Sequence, residues 1–161
     1  MGNDVFVGDS KVNDAQIQEG VRRLLFAYSE GVDSGRFEDV ADLFGDGGIY
    51  GEVDGPAARG RGQVLAAMKG NVRVYDGVPR TRHVVSNVVI DIDGSGESAR
   101  CRSYVQVVHQ PPGGEISTIV AGTYHDVVVR DGDSWKFAER RMHLELIGDL
   151  STHLIHNPFQ R

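Results

Sequence analysis

The chain has 161 residues, of which 40% are hydrophobic and 25% are charged, and this length suits one compact domain with a single core. The net charge of −6, with no run of basic residues longer than a pair such as Arg22-Arg23, speaks against a nucleic-acid partner, and the lone Cys101 fits a reducing, cytoplasmic location. No apolar run approaches the roughly 18 residues of a membrane span, and residues 1–12 lack the basic start and apolar block of a signal peptide.

Two amphipathic helices are predicted near the start of the chain. Over residues 14–32 the apolar side chains recur at three- and four-residue steps: Ile17, Val21, Leu24, Leu25, Tyr28 and Val32. Gly31 and Asp33-Ser34-Gly35 then predict a helix end, because glycine ends helices and Asp and Ser cap them. A second, shorter stripe follows: Phe37, Val40, Ala41 and Phe44.

The middle of the chain predicts a turn over residues 45–48, a short strand over 49–53, and a third helix after Gly60-Arg61-Gly62. From residue 81 the pattern changes to β-branched runs, which predict four strands: residues 81–92, 99–110, 117–130 and 135–147. Short turn sequences separate these strands, which favours antiparallel neighbours. Helices followed by a meander predict an α+β domain whose long strands curl around the first helix and leave a cavity.

Three regions are expected along the chain. Residues 1–13 are predicted to be a flexible N-terminus, and residues 14–147 the domain itself. Residues 148–161 are predicted to be a C-terminal tail that forms a short helix or a lid and carries His153 and His156.

Asp33, His83 and His109 are titratable residues at positions from which a side chain can turn into an apolar interior. A carboxylate and two imidazoles can orient one another and move protons near neutral pH, so proton transfer is the chemistry they suggest. For Asp33 the competing interpretation is an N-cap of the second helix, with Ser34 as the alternative cap.

The register of the two strands decides whether both histidines face the same side of the sheet. If residue 83 lies opposite 107, His83 and His109 share a face about 7 Å apart; if it lies opposite 106, they point to opposite faces. The turn at residues 93–96 permits either register.

Several other polar residues are candidates for lining the cavity. Tyr50 could donate a hydrogen bond to a substrate oxygen. A larger group is predicted to bind substrate: Tyr28, Val32, Tyr104, Tyr124 and Asp126. His125 and Asp126 occupy opposite faces of one strand, so at most one of them can line the cavity.

A metal-dependent enzyme using His143 and Glu145 is a third hypothesis, but spacing provides no third ligand, and we expect no metal site. No phosphate loop, dinucleotide fingerprint or Gly-x-Ser-x-Gly elbow occurs in the sequence, and we expect no cofactor.

Several stretches resemble the SnoaL-like branch of the nuclear transport factor 2-like superfamily: residues 24–44 (LLFAYSEGVDSGRFEDVADLF), Thr81-Arg82-His83, residues 122–126 (GTYHD) and residues 133–137 (DSWKF). The resemblance spans about residues 14–146. It implies a cystatin-like cone of three helices wrapped by a strongly curved, mostly antiparallel sheet. The branch includes scytalone dehydratase, lindane dehydrochlorinase and bile-acid dehydratase, which are lyases without a cofactor.

The resemblance also implies roles for particular residues. Asp33 and His83 form an acid–base dyad, with Gly31-Val32-Asp33 in the context that lindane dehydrochlorinase has. His109-Gln110 is similar to the second histidine of scytalone dehydratase, and Tyr50 to one of its tyrosines, whereas Val32 stands where that enzyme has a tyrosine.

We therefore expect a dehydratase-like lyase or an isomerase that acts on a hydrophobic, oxygenated cyclic molecule, whether polyketide, steroid, terpenoid or aromatic-like. The alternative is a non-catalytic module that binds a small apolar ligand, or the small subunit of a larger enzyme such as a ring-hydroxylating dioxygenase. Valines and isoleucines on the outer face of the sheet predict a homodimer or homotrimer.

Overall fold

The computed structural model describes residues 13–51 and 56–156. The predicted flexible N-terminus up to residue 12, residues 52–53 of the predicted short strand and the end of the C-terminal tail lie outside the described residues. The helices and strands in chain order are α1 Asp14–Asp33, α2 Phe37–Asp42, β1 Gly48–Tyr50, β2 Pro56–Arg59, α3 Gly60–Asn71, β3 Thr81–Ile92, β4 Ser98–His109, β5 Ser117–Asp131 and β6 Ser134–Ile147.

Helix α1 begins with a capping box. The Asn13 side chain accepts a hydrogen bond from the Gln16 backbone N–H at 2.9 Å, and the Gln16 side chain accepts one from the Asn13 N–H at 3.1 Å. The helix buries its predicted apolar stripe, and it also buries Ser29 and Asp33, four and eight residues after Leu25. The buried face is this wide because α1 packs against β3 on one side and α2 on another.

Helix α1 ends one residue later than the pattern predicts. Asp33 is its last helical residue, and Ser34 is its C-cap. The turn that follows needs Gly35, whose φ of +71° favours glycine and whose Cα lies so close to the Gly77 carbonyl that a Cβ would clash. The N-cap of α2 is Arg36, with no side-chain cap hydrogen bond. Neither Asp33 nor Ser34 therefore caps α2, and the capping interpretation of Asp33 is wrong.

Within the described residues the strands form one sheet in the order β2-β1-β6-β5-β4-β3. All pairs are antiparallel except β1 with β6, so the predicted α+β class with a mostly antiparallel sheet is confirmed. The sequence did not predict β2, which lies in a stretch rich in Ala, Gly and Pro.

Bulges bend the long strands around the helices. The register shifts once between β3 and β4, once between β4 and β5, and twice between β5 and β6. Because a bulge raises the local twist, the inner face becomes concave and encloses α1 together with an apolar core. A smaller apolar cluster under the C-terminal segment includes Val105, Ile119 and Leu150.

The outer face of the sheet is mixed in character. It exposes Val84, Tyr104 and Leu146 to solvent, together with charged neighbours such as Arg102 and Arg100. The expected self-association stays a prediction. No helix in the described part of the chain is long and apolar enough to cross a membrane.

Candidate active site

Asp33 lies at the point where α1 meets the first residues of β3. Its carboxylate accepts three hydrogen bonds: from the Thr81 hydroxyl at 2.7 Å, from the His83 backbone N–H at 2.9 Å and from His83 Nδ1 at 2.6 Å. Asp33 therefore faces β3 and does not act as the helix cap that was its alternative interpretation. A buried carboxylate is costly unless it is hydrogen-bonded, and these three donors supply that compensation.

Asp33 and His83 form a partly buried pair, with 9% and 8% of their side chains exposed. Burial by itself raises the pKa of the Asp33 carboxyl, but the hydrogen bonds and charge of His83, with help from Thr81, lower it below the ordinary 3.8. Asp33 is thus a carboxylate at neutral pH, and it accepts the Nδ1 proton of His83. This assigns the tautomer that leaves Nε2 of His83 available as a base.

The observed register brings the two predicted histidines to the same face of the sheet. His83 lies opposite Val107, and Thr81 lies opposite His109. Of the two registers that the sequence permits, the one that places the histidines together is the one in the structure.

His109 is almost fully buried, with 1% of its surface exposed. Its Nδ1 lies 3.2 Å from the Arg80 carbonyl oxygen and so carries the donated proton. Its Nε2 is buried and has no hydrogen-bond partner among the residues that the structure describes. The His109 ring also lies close to the rings of Tyr75, at 6.4 Å, and of His153, at 5.6 Å between centroids.

A cavity of about 270 Å³ opens beside His83 between α1, α3 and the concave face of the sheet. Most of its lining is aliphatic, and the polar groups are few. Three predicted substrate-binding residues, Tyr28, Val32 and Tyr124, contribute to its wall. A second, more polar cavity of about 500 Å³ contacts Asp33, Thr81 and His109, so the Asp33–His83 pair lies between the two cavities.

The third helix and the C-terminal segment close the apolar cavity. We call residues 148–156 the C-terminal strap. Its backbone is hydrogen-bonded to the end of α3 and the segment after it, from the Arg73 N–H to the His153 carbonyl and from the Ile155 N–H to the Asn71 carbonyl, both at 2.8 Å. Leu150, His153 and Leu154 of the strap line the cavity. The predicted tail thus forms a wall of the site. Its described residues form turns and an isolated β-bridge and contain no helix.

Beyond the wall formed by Tyr28 and Tyr124 lies an ion pair that sequence reasoning missed. The Arg140 guanidinium donates to both carboxylate oxygens of Asp126, at 2.9 and 2.8 Å, and both side chains are fully buried. The guanidinium lies 4.2 to 4.3 Å from the ring centroids of Tyr28, Tyr124 and Phe137. The alternation of faces along β6 was the signal that the sequence offered. Arg140 and Phe137 are three residues apart, so they share the inward face only because a bulge lies between them.

Burial also affects the two tyrosines of this wall. It raises the pKa of the Tyr28 and Tyr124 hydroxyls above the ordinary 10, in spite of the nearby positive charge of Arg140. Both phenols are therefore neutral at physiological pH and can act as hydrogen-bond donors. Asp126 faces inward, as its strand allows, but binds Arg140 and is not among the residues that line the cavity.

Two predicted residues lie elsewhere. Tyr104 is 49% exposed on the outer face, because the neighbouring Ser103 and Val105 of β4 take the inward positions. The expectation that Tyr104 lines the cavity is therefore corrected. Tyr50 alternates with the inward-facing Ile49 and packs against the guanidinium of Arg141, 4.6 Å from its ring centroid. The structure does not bring Tyr50 to the dyad.

The residues of the metal hypothesis are on the outer face as well. His143 lies opposite Thr123 of β5, and its ring is 5.0 Å from that of His125. The part of the chain that the structure describes contains no group of three or more His, Cys, Asp or Glu residues placed to hold a metal ion.

The profile of the SnoaL-like domain family matches residues 13–141. The chain belongs to this family. No curated protein matches it in sequence.

Solved structures extend the likeness. A putative scytalone dehydratase from Novosphingobium aromaticivorans is 27% identical, with a TM-score of 0.66 over 89% of this chain and 93% of that one. A nuclear transport factor 2-like protein with a cystatin-like fold from the same organism is 20% identical, with a TM-score of 0.69 over 81% and 82%. The beta subunit of a putative aromatic-ring-hydroxylating dioxygenase, also from that organism, is 21% identical, with a TM-score of 0.65 over 84% and 94%. The predicted family and fold are thus confirmed.

Proposed function

We propose that this protein is a lyase of the dehydratase type, or an isomerase, in which His83 is the proton-transfer group and Asp33 orients it. The observation that carries the proposal is the 2.6 Å contact between Asp33 and His83 Nδ1 beside an apolar cavity that His83 itself lines. A carboxylate that fixes one imidazole nitrogen and leaves the other facing a ligand space is what general acid–base chemistry needs.

The proposed reaction needs only side chains of this chain. Nε2 of His83 removes a proton from the carbon next to a substrate carbonyl, and the electron pair moves into an enolate. The enolate re-forms the carbonyl and a carbon–carbon double bond develops as the β-hydroxyl leaves. The imidazolium returns its proton to that hydroxyl, so the products are an enone and water. In an isomerase the same proton would return to another carbon.

The charge of Asp33 supports this role for His83. When His83 takes a proton it becomes a cation next to an ionised carboxylate, and that attraction stabilises the protonated intermediate state. His109 lies on the same face of the sheet and lines the more polar cavity together with Asp33, which supports a role for it in contacting the oxygen that develops charge or leaves.

The cavity supports a small substrate. Its volume of about 270 Å³ lies just below the range of roughly 300–1,000 Å³ that is usual for drug-sized ligands. A molecule of one or two rings with a carbonyl and a hydroxyl suits this space better than a four-ring steroid. The 27% identity to a structure named as a putative scytalone dehydratase supports a dehydratase reaction.

Exchange of an α-hydrogen tests the proton-transfer step without knowledge of the natural substrate. We expect the protein to accelerate deuterium incorporation into 2-tetralone in D₂O, followed by proton NMR. His83→Ala should lower this rate by about 10² to 10⁴-fold, the usual contribution of a positioned acid–base group. Asp33→Asn should lower it as well, because the amide leaves the imidazolium without a compensating charge.

The matched control is His125→Ala, which removes an exposed imidazole from the outer face of β5. It should leave the exchange rate unchanged. Full exchange activity in both His83→Ala and Asp33→Asn would falsify the mechanism.

A non-catalytic binding module is the second candidate, and the apolar lining of the cavity is the observation that favours it. In that case 2-tetralone would bind, as seen by shifts of cavity methyl resonances, while its exchange rate would equal that of free histidine in solution.

A further inference from the structure

The C-terminal strap brings a third imidazole to the site. His153 lines the apolar cavity, and its ring centroid is 5.6 Å from that of His109. The proposed acid–base reaction does not use it. The strap holds His153 in place through the backbone bonds to the segment after α3 and through the Tyr75 hydroxyl, which donates to the Thr152 carbonyl at 2.6 Å.

Two buried nitrogens in this cluster are without a hydrogen-bond partner among the described residues: Nε2 of His109 and Nδ1 of His153. An unpaired polar atom in an apolar interior costs free energy comparable to a lost hydrogen bond, so such atoms are exceptions that call for a ligand or another explanation. The two atoms belong to adjacent rings with centroids 5.6 Å apart, and His109 is only 1% exposed.

We propose that His109 and His153 form a subsite that binds a hydroxyl group of the ligand. In neutral His109 the Nδ1 proton is donated to the Arg80 carbonyl, so Nε2 offers only a lone pair and needs a donor. In the proposed subsite His153 carries its proton on Nδ1 and needs an acceptor. A hydroxyl is both, since it donates to His109 and accepts from His153.

The charge around the subsite also favours a neutral group. Burial, with His109 and His83 nearby, lowers the pKa of His153 from its ordinary 6.5 to about 4, although Asp33 acts in the opposite direction. His153 is therefore an uncharged ring at neutral pH. A carboxylate would meet the lone pair of His109, and an ammonium group would leave the Nδ1 proton of His153 unpaired, so both fit less well than a hydroxyl.

The inference rests on the proposed function only for what the ligand does afterwards, because the subsite would bind a hydroxyl whether or not His83 transfers a proton. In the dehydratase reaction the bound hydroxyl would be a substituent of the ring compound, held beside the dyad. The strap would then contribute to specificity as well as to closure.

A pair of two-ring probes, 1-indanol and indane, tests the subsite by binding alone. The quantity to measure is the ratio of the dissociation constant of indane to that of 1-indanol, from NMR titration of the Leu150 and Met142 methyl resonances. His153→Phe, which keeps a planar ring but removes both nitrogens, should lower this ratio about three- to tenfold, as expected for one hydrogen bond.

Two variants separate hydrogen bonding from packing. His153→Asn retains a donor near the position of Nδ1 and should restore most of the ratio. His156→Phe, at an exposed histidine of the same strap, should leave the ratio unchanged. If His153→Phe does not fold, the ratio is compared between His153→Asn and His153→Leu. These two side chains are similar in size, but only asparagine can form hydrogen bonds.

Three results would overturn the subsite: an unchanged ratio in His153→Phe, an equal loss of affinity for both probes, or the absence of any difference between the probes in the unsubstituted protein. His83→Ala distinguishes this outcome from failure of the proposed reaction. It should lower the exchange rate of 2-tetralone by about 10² to 10⁴-fold, whereas the subsite is judged only on the ratio for the two probes in the unsubstituted protein and the His153 variants.

Discussion

Two pairs of a carboxylate and a basic side chain, Asp126–Arg140 and Asp33–His83, lie at the concave face of the sheet. They differ in what surrounds the basic side chain. Arg140 is enclosed by aromatic rings and both members of its pair with Asp126 are fully buried. His83 lines the apolar cavity, and Asp33 lines the second, more polar cavity. Arginine stays protonated at any physiological pH, whereas histidine exchanges its proton near neutrality. The first pair is therefore suited to structure and a fixed electrostatic field, whereas the second has the chemistry that the proposed proton transfer needs.

The largest expected effect concerns the stability of the enclosed pair. Asp126→Ala leaves the Arg140 charge buried without its partner, and we expect a loss of about 3–5 kcal/mol in the free energy of unfolding, measured with urea. Glu97→Ala, which breaks a pair between the exposed Glu97 and the half-buried Arg130, should cost less than about 1 kcal/mol. The double variant Asp126→Leu/Arg140→Met should recover most of the loss. A small effect of Asp126→Ala would remove the contrast between the two pairs.

The groups around the Asp33–His83 pair should make stability depend on pH. The pKa of His153 is lowered to about 4 in the folded protein, so the folded state binds fewer protons than the unfolded state between pH 6.5 and 4. Stability should therefore fall as the pH drops through this window, by on the order of 2–3 kcal/mol from His153. Below it, protonation of Asp33, whose pKa is also lowered, should weaken the fold further.

The measurement is the urea midpoint as a function of pH for the unsubstituted protein and for His153→Asn. Neutral asparagine should flatten the curve between pH 6.5 and 4 and leave the acid limb below it. Identical slopes in the two proteins would show that His153 is not the group responsible.

Thr81 allows a smaller test of how Asp33 is held. Thr81→Val removes the 2.7 Å hydrogen bond to the carboxylate and should cost about 1 kcal/mol of stability. The pKa of Asp33 should rise toward its ordinary value, which moves the acid limb of the exchange rate to higher pH. Thr123→Val, on the outer face of β5, is the control; the same pH shift in that variant would speak against a role for Thr81.

The smallest effect is expected on the outer face. Tyr104→Ala should change stability by no more than about 0.5 kcal/mol and leave the exchange rate of 2-tetralone unchanged, because the side chain is half exposed and far from the concave face. Tyr124→Ala, in the wall of the cavity, should cost about 3–5 kcal/mol. A loss of activity in Tyr104→Ala would contradict the placement of this residue on the outer face. Analytical ultracentrifugation of the same variant would show whether this face also takes part in self-association.

Several features of the fold could be predicted from local pattern. The apolar stripe of α1 and the β-branched runs of β3 to β6 show a periodicity that records burial of one face. This periodicity can be recognised in the segment itself, without knowledge of the remaining chain. Strand β2 could not be predicted, because its Pro-Ala-Ala-Arg sequence has no such periodicity and pairs only because β1 lies beside it. Arg140 was missed for a similar reason, since a charged residue on an inward face violates the pattern unless its partner Asp126 is known.

The candidate site shows the same division between local and tertiary information. Local pattern was sufficient to predict the three helices, the four long strands, the turns between those strands and the short set of titratable residues that includes Asp33, His83 and His109. Tertiary structure decided which of them meet: the register of β3 on β4, the wide buried arc of α1 that turns Asp33 inward, and the return of the strap that adds His153. The physical reason is that periodicity records which face of an element is buried, whereas proximity between elements depends on bulges, register and chain return, which no local pattern encodes.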